Sequence, residues 1–263
     1  MKRIYPLTSD TMIRRFGLII LCFAVFVSMS HANVVSWNLD RFSTIGGDGN
    51  GDNQGLNVTA GFVDAGWWEN SWPTDNVTNL IDNTGVVTTV DISRTSVNEY
   101  SIHEYHPGQD TDGTWNKEML NGYLNGADTS VTLSEIPYLS YDIIVYISCD
   151  VAGRHGTVTD GTTTYYFNTL GPASIAGGNA LLVQTTDTAG TYATAANYAV
   201  FSGLSGASQT ITCNIPDWGG IAAVQISGSG QDTTPPTPDP AAWADQPHAW
   251  GWDTVEMTAS AAT

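Results

Sequence analysis

The chain has 263 residues, 26 of them acidic and 8 basic, with a formal charge of −18 at pH 7. So acidic a chain repels nucleic-acid phosphates and anionic lipid headgroups, which excludes nucleic acid as a partner. At roughly 150 residues per domain the length allows one or two domains.

Residues 1–32 read as a secretory signal peptide. Arg14 and Arg15 precede an apolar run over 18–27 (LIILCFAVFV), and Ser30-His31-Ala32 places small residues where a signal peptidase reads them. The run is shorter than the ~20 residues that span a bilayer. The expectation is therefore a secreted, extracellular or cell-surface protein with no membrane insertion after signal cleavage. Its mature part would begin at Asn33 and keep Arg41, Arg94, Lys117 and Arg154 against 25 acids, a formal balance of −21.

Beyond residue 33 helical periodicity is nearly absent. Short alternating runs rich in Val and Thr, bounded by Gly, Asn and Asp, predict an all-β fold, an antiparallel β-sandwich of jelly-roll type. Strands are expected over 34–39, 57–63, 79–81, 86–92, from 130, over 141–149, 157–159, 162–167, 181–185, 198–202, 209–215 and 221–226. Asp82-Asn83-Thr84-Gly85 and Asp160-Gly161 are turn signals that join neighbours into hairpins. The run 141–149 is apolar on both faces, as a central strand is. One short helix is expected over 116–124, where Leu120, Tyr123 and Leu124 share a face. The sandwich would fill 33–230. A Pro/Thr linker follows over 231–240, and 241–263 is too short to bury a core alone, as the truncated start of a second β module would be.

Four stretches occur in this order: NGYLNG (121–126), PYLSYDIIVY (137–146), NYAVFSGL (197–204) and GGIAAVQI (219–226). Together they resemble a β-sandwich module found at the front of large secreted proteins of PEP-CTERM-type bacteria. The closing β pair is similar to galactose-binding-like jelly rolls, and the tail over 232–260 resembles the start of an immunoglobulin-like spacer repeat. The resemblance covers about residues 33–263 and rests on core and turn residues. It therefore implies a fold and supplies no catalytic residue.

Several clusters carry candidate chemistry. Asp48, Asn50 and Asp52 alternate oxygen side chains on a Gly-rich turn, as a calcium loop does. Position 6 is Asn53 rather than Gly and position 12 is Thr59 rather than Glu, so a bare acidic turn is the competing description. Trp67, Trp68 and Trp72, with Asp64 and Glu69 among them, have the composition of a sugar platform: flat rings for C–H faces, carboxylates for hydroxyls. At least one of these indoles is equally suited to the core. Trp115 and Trp218 are further aromatic candidates for the same rim. His103 and His106 lack helical metal-ligand spacing, and Arg154-His155 lies between Gly153 and Gly156, where it would hold an acidic or hydroxylated ligand or simply be solvated. Cys149 and Cys213 share parity with interior residues, which fits either a disulfide or two buried free thiols. No nucleophile motif is present: Gly203-Leu204-Ser205-Gly206 is not a nucleophile elbow. The sequence thus points to a non-catalytic module that binds a polysaccharide or cell-surface glycan, with Ca²⁺ as a candidate cofactor. The alternatives are a purely structural spacer or adhesion module and, with no supporting motif, a glycoside hydrolase.

Overall fold

The apolar residues of the strands fall on alternate positions where one face is covered and on every position where both are. Residues 33–39, 59–63, 65–70, 74–102, 115–171, 181–231, 243–249 and 255–259 are described by the computed structural model. The elements run β1 (Asn33–Asn38), β2 (Trp68–Asn70), β3 (Asn76–Val77), β4 (Asp91–Thr95), β5 (Asn98–Ser101), α1 (Trp115–Asn121), β6 (Gly122–Asn125) and β7 (Asp128–Ser134). They continue as β8 (Tyr138–Ser148), β9 (Ala152–Thr159), β10 (Thr164–Leu170), β11 (Ala195–Ala196), β12 (Tyr198–Leu204), β13 (Ser208–Asn214), β14 (Gly220–Gln231), β15 (Trp243–Ala249) and β16 (Val255–Ala259).

Two sheets form the sandwich. The first has the order β12-β8-β14-β1-β2 and the second β11-β10-β9-β13-β7-β4-β3. Their cores, β1-β14-β8-β12 and β7-β13-β9-β10, have jelly-roll connectivity: nearly every connection crosses from one sheet to the other, and β9–β10 is the one hairpin among them. Pairing is antiparallel throughout, except that β2 runs parallel to β1 and β11 parallel to β10. β15 and β16 pair with each other in a separate two-stranded sheet.

The main core lies between the sheets and takes Trp37, Ile143, Val145, Val158, Phe167, Phe201, Ile211 and Ile226. A second apolar layer covers the outer face of the first sheet, where Trp68, Met119, Leu120 and Tyr123 pack on Ile144, Tyr146, Ala222 and Ala223. β8 is therefore apolar on both faces because it is covered on both. A buried polar network fixes the segment around residue 61 in this layer. Gln225 Nε2 donates to Ser36 Oγ at 3.1 Å and to Val63 O at 2.9 Å, its Oε1 accepts from Tyr146 Oη, and Phe62 N donates to that same oxygen at 2.6 Å.

The local expectations hold in part. The Asp160-Gly161 hairpin forms, with Asp160 Oδ1 accepting from Thr162 N at 2.8 Å. Asp82 likewise organises its turn, accepting from Thr84 N and Val86 N. The helix ends at Asn121 rather than reaching 124, because Gly122–Asn125 pairs with β5. The described part of the first of these runs, 59–63, and the run 181–185 make only isolated bridges, Ala60 with Ala65 and Gln184 with Tyr198. β14 continues to Gln231, past the strand end expected at 226, since Gly228 pairs with Tyr141 and Gln231 with Tyr138. Cys149 and Cys213 are buried and both thiols are free.

Candidate functional site

At one end of the sandwich the β13–β14 turn presents Trp218. Its indole is 50% exposed, and its backbone is left-handed at φ 74°. A bulky residue in that region is strained by about 1–2 kcal/mol. The turn is closed by Trp218 N donating to Ile215 O at 3.1 Å. It is held from the other side by Arg154, on β9, whose Nη1 donates to Trp218 O at 2.6 Å and to Asp150 Oδ1 at 3.3 Å. A charge-assisted bond of this kind contributes about 1.5–3 kcal/mol, enough to offset the strain.

Cys149 lies beneath the clamp. Its Sγ donates to Trp218 O at 3.4 Å and accepts from Val151 N at 3.4 Å. Burial pushes this thiol's pKa up, and the Val151 amide and Arg154 only partly oppose the shift. Tyr123 Oη accepts from Asp150 N at 3.1 Å, and its own proton is held well above the usual tyrosine range by burial and then by the Asp150 charge. The rim thus brings together Trp218, Arg154, Asp150 and Val151 over the buried Cys149. Arg154 is the only Lys or Arg among the described residues whose side chain keeps appreciable exposure, 22%; Lys117 is buried and the Arg94 side chain is 2% exposed beside Asp75 and Glu99.

The other candidates are scattered. Trp68 is fully buried, edge-on to Tyr146 with ring centroids 6.3 Å apart, and its Nε1 donates to Ala65 O at 2.9 Å. An indole so placed has no face to offer a sugar and belongs to the core. Trp67, left-handed at φ 57°, is half-buried and lies on Gly85, whose missing Cβ would sit 3.3 Å from the Trp67 ring. Glu69 is buried on β2. These three adjacent residues therefore do not form one exposed platform. Trp72, Asp64 and the calcium candidates Asp48, Asn50 and Asp52 lie outside the described residues, as do His103 and His106. Among the described residues no group of three or more His, Cys, Asp or Glu is arranged to hold a metal.

Arg154 and Trp218 were separate features in the sequence, 64 positions apart; the jelly-roll crossing brings them into contact. The sequence gives no signal for Asp150 as their third member. No family model, curated protein or solved structure matches the chain.

Proposed function

We propose that the chain is a non-catalytic, extracellular carbohydrate-binding module, exported by its N-terminal signal, whose site is the Trp218 rim. The observation that carries this is the half-exposed indole held in a strained backbone by Arg154 and Cys149. The half-exposed ring offers a flat face for sugar C–H groups, on a backbone that loses little freedom on binding. Positive-φ outliers of this kind are kept where the surroundings over-determine them, often at ligand sites. Asp150 and Arg154 supply an acceptor and donors for hydroxyls beside the ring. The net charge of −18, with Asp150 and Asp217 at the rim, favours a neutral glycan over an acidic one.

The experiment is a glycan array run with the full chain in the presence and absence of calcium, followed by calorimetry on the strongest hit. Trp218→Ala is expected to abolish binding of a neutral oligosaccharide while the far-ultraviolet spectrum and unfolding midpoint stay near wild type. Binding that survives Trp218→Ala overturns this assignment of the site. An array on which no glycan binds favours the structural spacer.

A further inference from the structure

A different surface carries a second inference, independent of the sugar site. β12 is the edge strand of its sheet. The start of that edge is already used by the chain itself: the segment 181–185 (LLVQT) lies alongside Tyr198, with Thr185 N donating to Tyr198 O at 2.9 Å and Tyr198 N donating to Val183 O at 3.2 Å. The bridge between Gln184 and Tyr198 is parallel. The segment then crosses to β10 on the other sheet, where Thr185 Oγ1 donates to Tyr166 O and Tyr166 N donates to Asp187 O.

Past that crossing no described residue pairs with the edge. Tyr198 turns its amide and carbonyl away from β8, and Val200, two residues on, does the same by the period of the strand. Val200 pairs with Ile144 on the β8 side, and the register shift that follows Phe201 comes only after it. A groove of about 350 Å³ lies between this open edge and the β9–β10 hairpin. Its walls are Val200 and Ser202 on one side and Asp160 and Thr162 on the other. Tyr165 and Phe201, with ring centroids 5.3 Å apart, lie at its base.

We infer that this groove accepts an extended peptide segment, which adds to the β12 edge as a strand in line with residues 181–185. The occupant follows from what the edge offers. A row of backbone donors and acceptors is matched by another backbone, and the chain already seats its own extended segment at the start of the same row, on Tyr198. The aromatic base takes one apolar side chain, since alternate side chains of an added strand point to one face. Asp160 is the charged group of the lining and no Lys or Arg faces it there, so the bound segment is uncharged or basic.

The test uses the full chain, amide exchange followed by NMR, and an acetylated, amidated LLVQT peptide as the probe. The peptide is expected to slow exchange of the Val200 amide at least tenfold at saturation. The same peptide N-methylated at its valine and threonine is expected not to do so. Val200→Pro, which removes an outward-facing N–H and no bond to β8, is expected to weaken peptide binding at least tenfold, with the Ala199 and Phe201 amides still protected. Equal binding of the N-methylated peptide overturns the inference, as does an unprotected Val200 amide. Protection of Val200 by maltose, cellobiose or lactose but not by the peptide also overturns it and makes the groove a sugar site. Should Val200→Pro lose the fold, the comparison of the two peptides decides alone.

Discussion

Trp68→Ala separates the core from the site. The indole is fully buried in the layer outside the first sheet, packs edge-on to Tyr146, and donates its N–H to Ala65 O at 2.9 Å. Truncation of a buried aromatic side chain costs about 3–5 kcal/mol through lost transfer energy and the cavity left behind. That is a large part of the ~5–15 kcal/mol by which a domain is stable. Trp68→Phe keeps most of the apolar volume and removes only the indole bond to Ala65 O, which still accepts from Ala60 N at 3.2 Å, so it is expected to cost about 1–2 kcal/mol. Urea unfolding followed by far-ultraviolet circular dichroism measures both, because a Trp fluorescence signal would itself change with the substitution. With a slope near 2 kcal/mol per molar urea, Trp68→Ala moves the midpoint down by roughly 2 M. A loss below about 1 kcal/mol, accompanied by loss of glycan binding, would refute the placement of Trp68 in the core and restore it to a sugar platform.

Further outcomes are open to direct measurement. Gly228→Ala places a Cβ 2.0 Å from Tyr138 Cγ and is expected to cost about 3 kcal/mol by overpacking, whereas Gly161→Ala, at φ 90° with nothing within 4 Å, costs only about 1–2 kcal/mol of backbone strain; denaturant unfolding of the two variants checks the order. Cys149 and Cys213 are expected to resist a thiol reagent in the native protein and to react after unfolding, read by peptide mapping; native labelling at the rate of a free thiol contradicts their burial. Burial, helped by the Asp82 charge, pushes the Tyr138 hydroxyl up to about 12, while an unfolded tyrosine ionises near 10. Stability is therefore fully present below pH 10 and falls as pH rises from 10 to 12, which alkaline unfolding monitored by circular dichroism would show. If the 48–53 turn binds calcium, millimolar calcium raises the melting midpoint more than magnesium at equal ionic strength, and Asp48→Asn with Asp52→Asn removes the difference; equal midpoints leave it an acidic turn.

The strands of the sandwich were legible where a face alternates. β13 reads outward–inward along its length, and Asp160-Gly161 announces its hairpin, because both signals are local. β8 was legible as a central strand for a further reason: eight apolar or aromatic residues in a run of eleven need cover on both sides. What covers it was not legible, since Trp68 and the stretch that carries Met119 and Tyr123 lie about fifty residues apart and meet only in the folded chain. The same limit applies to the site. Trp218 and Arg154 each stood out by composition, but their contact depends on which strands cross between sheets, and no turn residue encodes that crossing. Trp67 and Trp68, adjacent in sequence, looked like one platform; the left-handed backbone at Trp67 sends the two rings to different places. The extension of β14 through Gly228 was hidden because glycine weakens a strand by propensity, while here its bare Cα is what lets the Tyr138 ring lie against the strand.

The pairing of β1 with β14 has a mechanical consequence. Asn33, where the first strand of the sandwich begins, sits beside Gly228, near where its last strand ends. Force applied between Asn33 and the segment that follows β14 therefore pulls on the same end of one antiparallel ladder. Its cross-strand hydrogen bonds are loaded singly, in peeling, and not together, in shear. A module tethered in this way yields at low force by releasing β1 from the middle of its sheet.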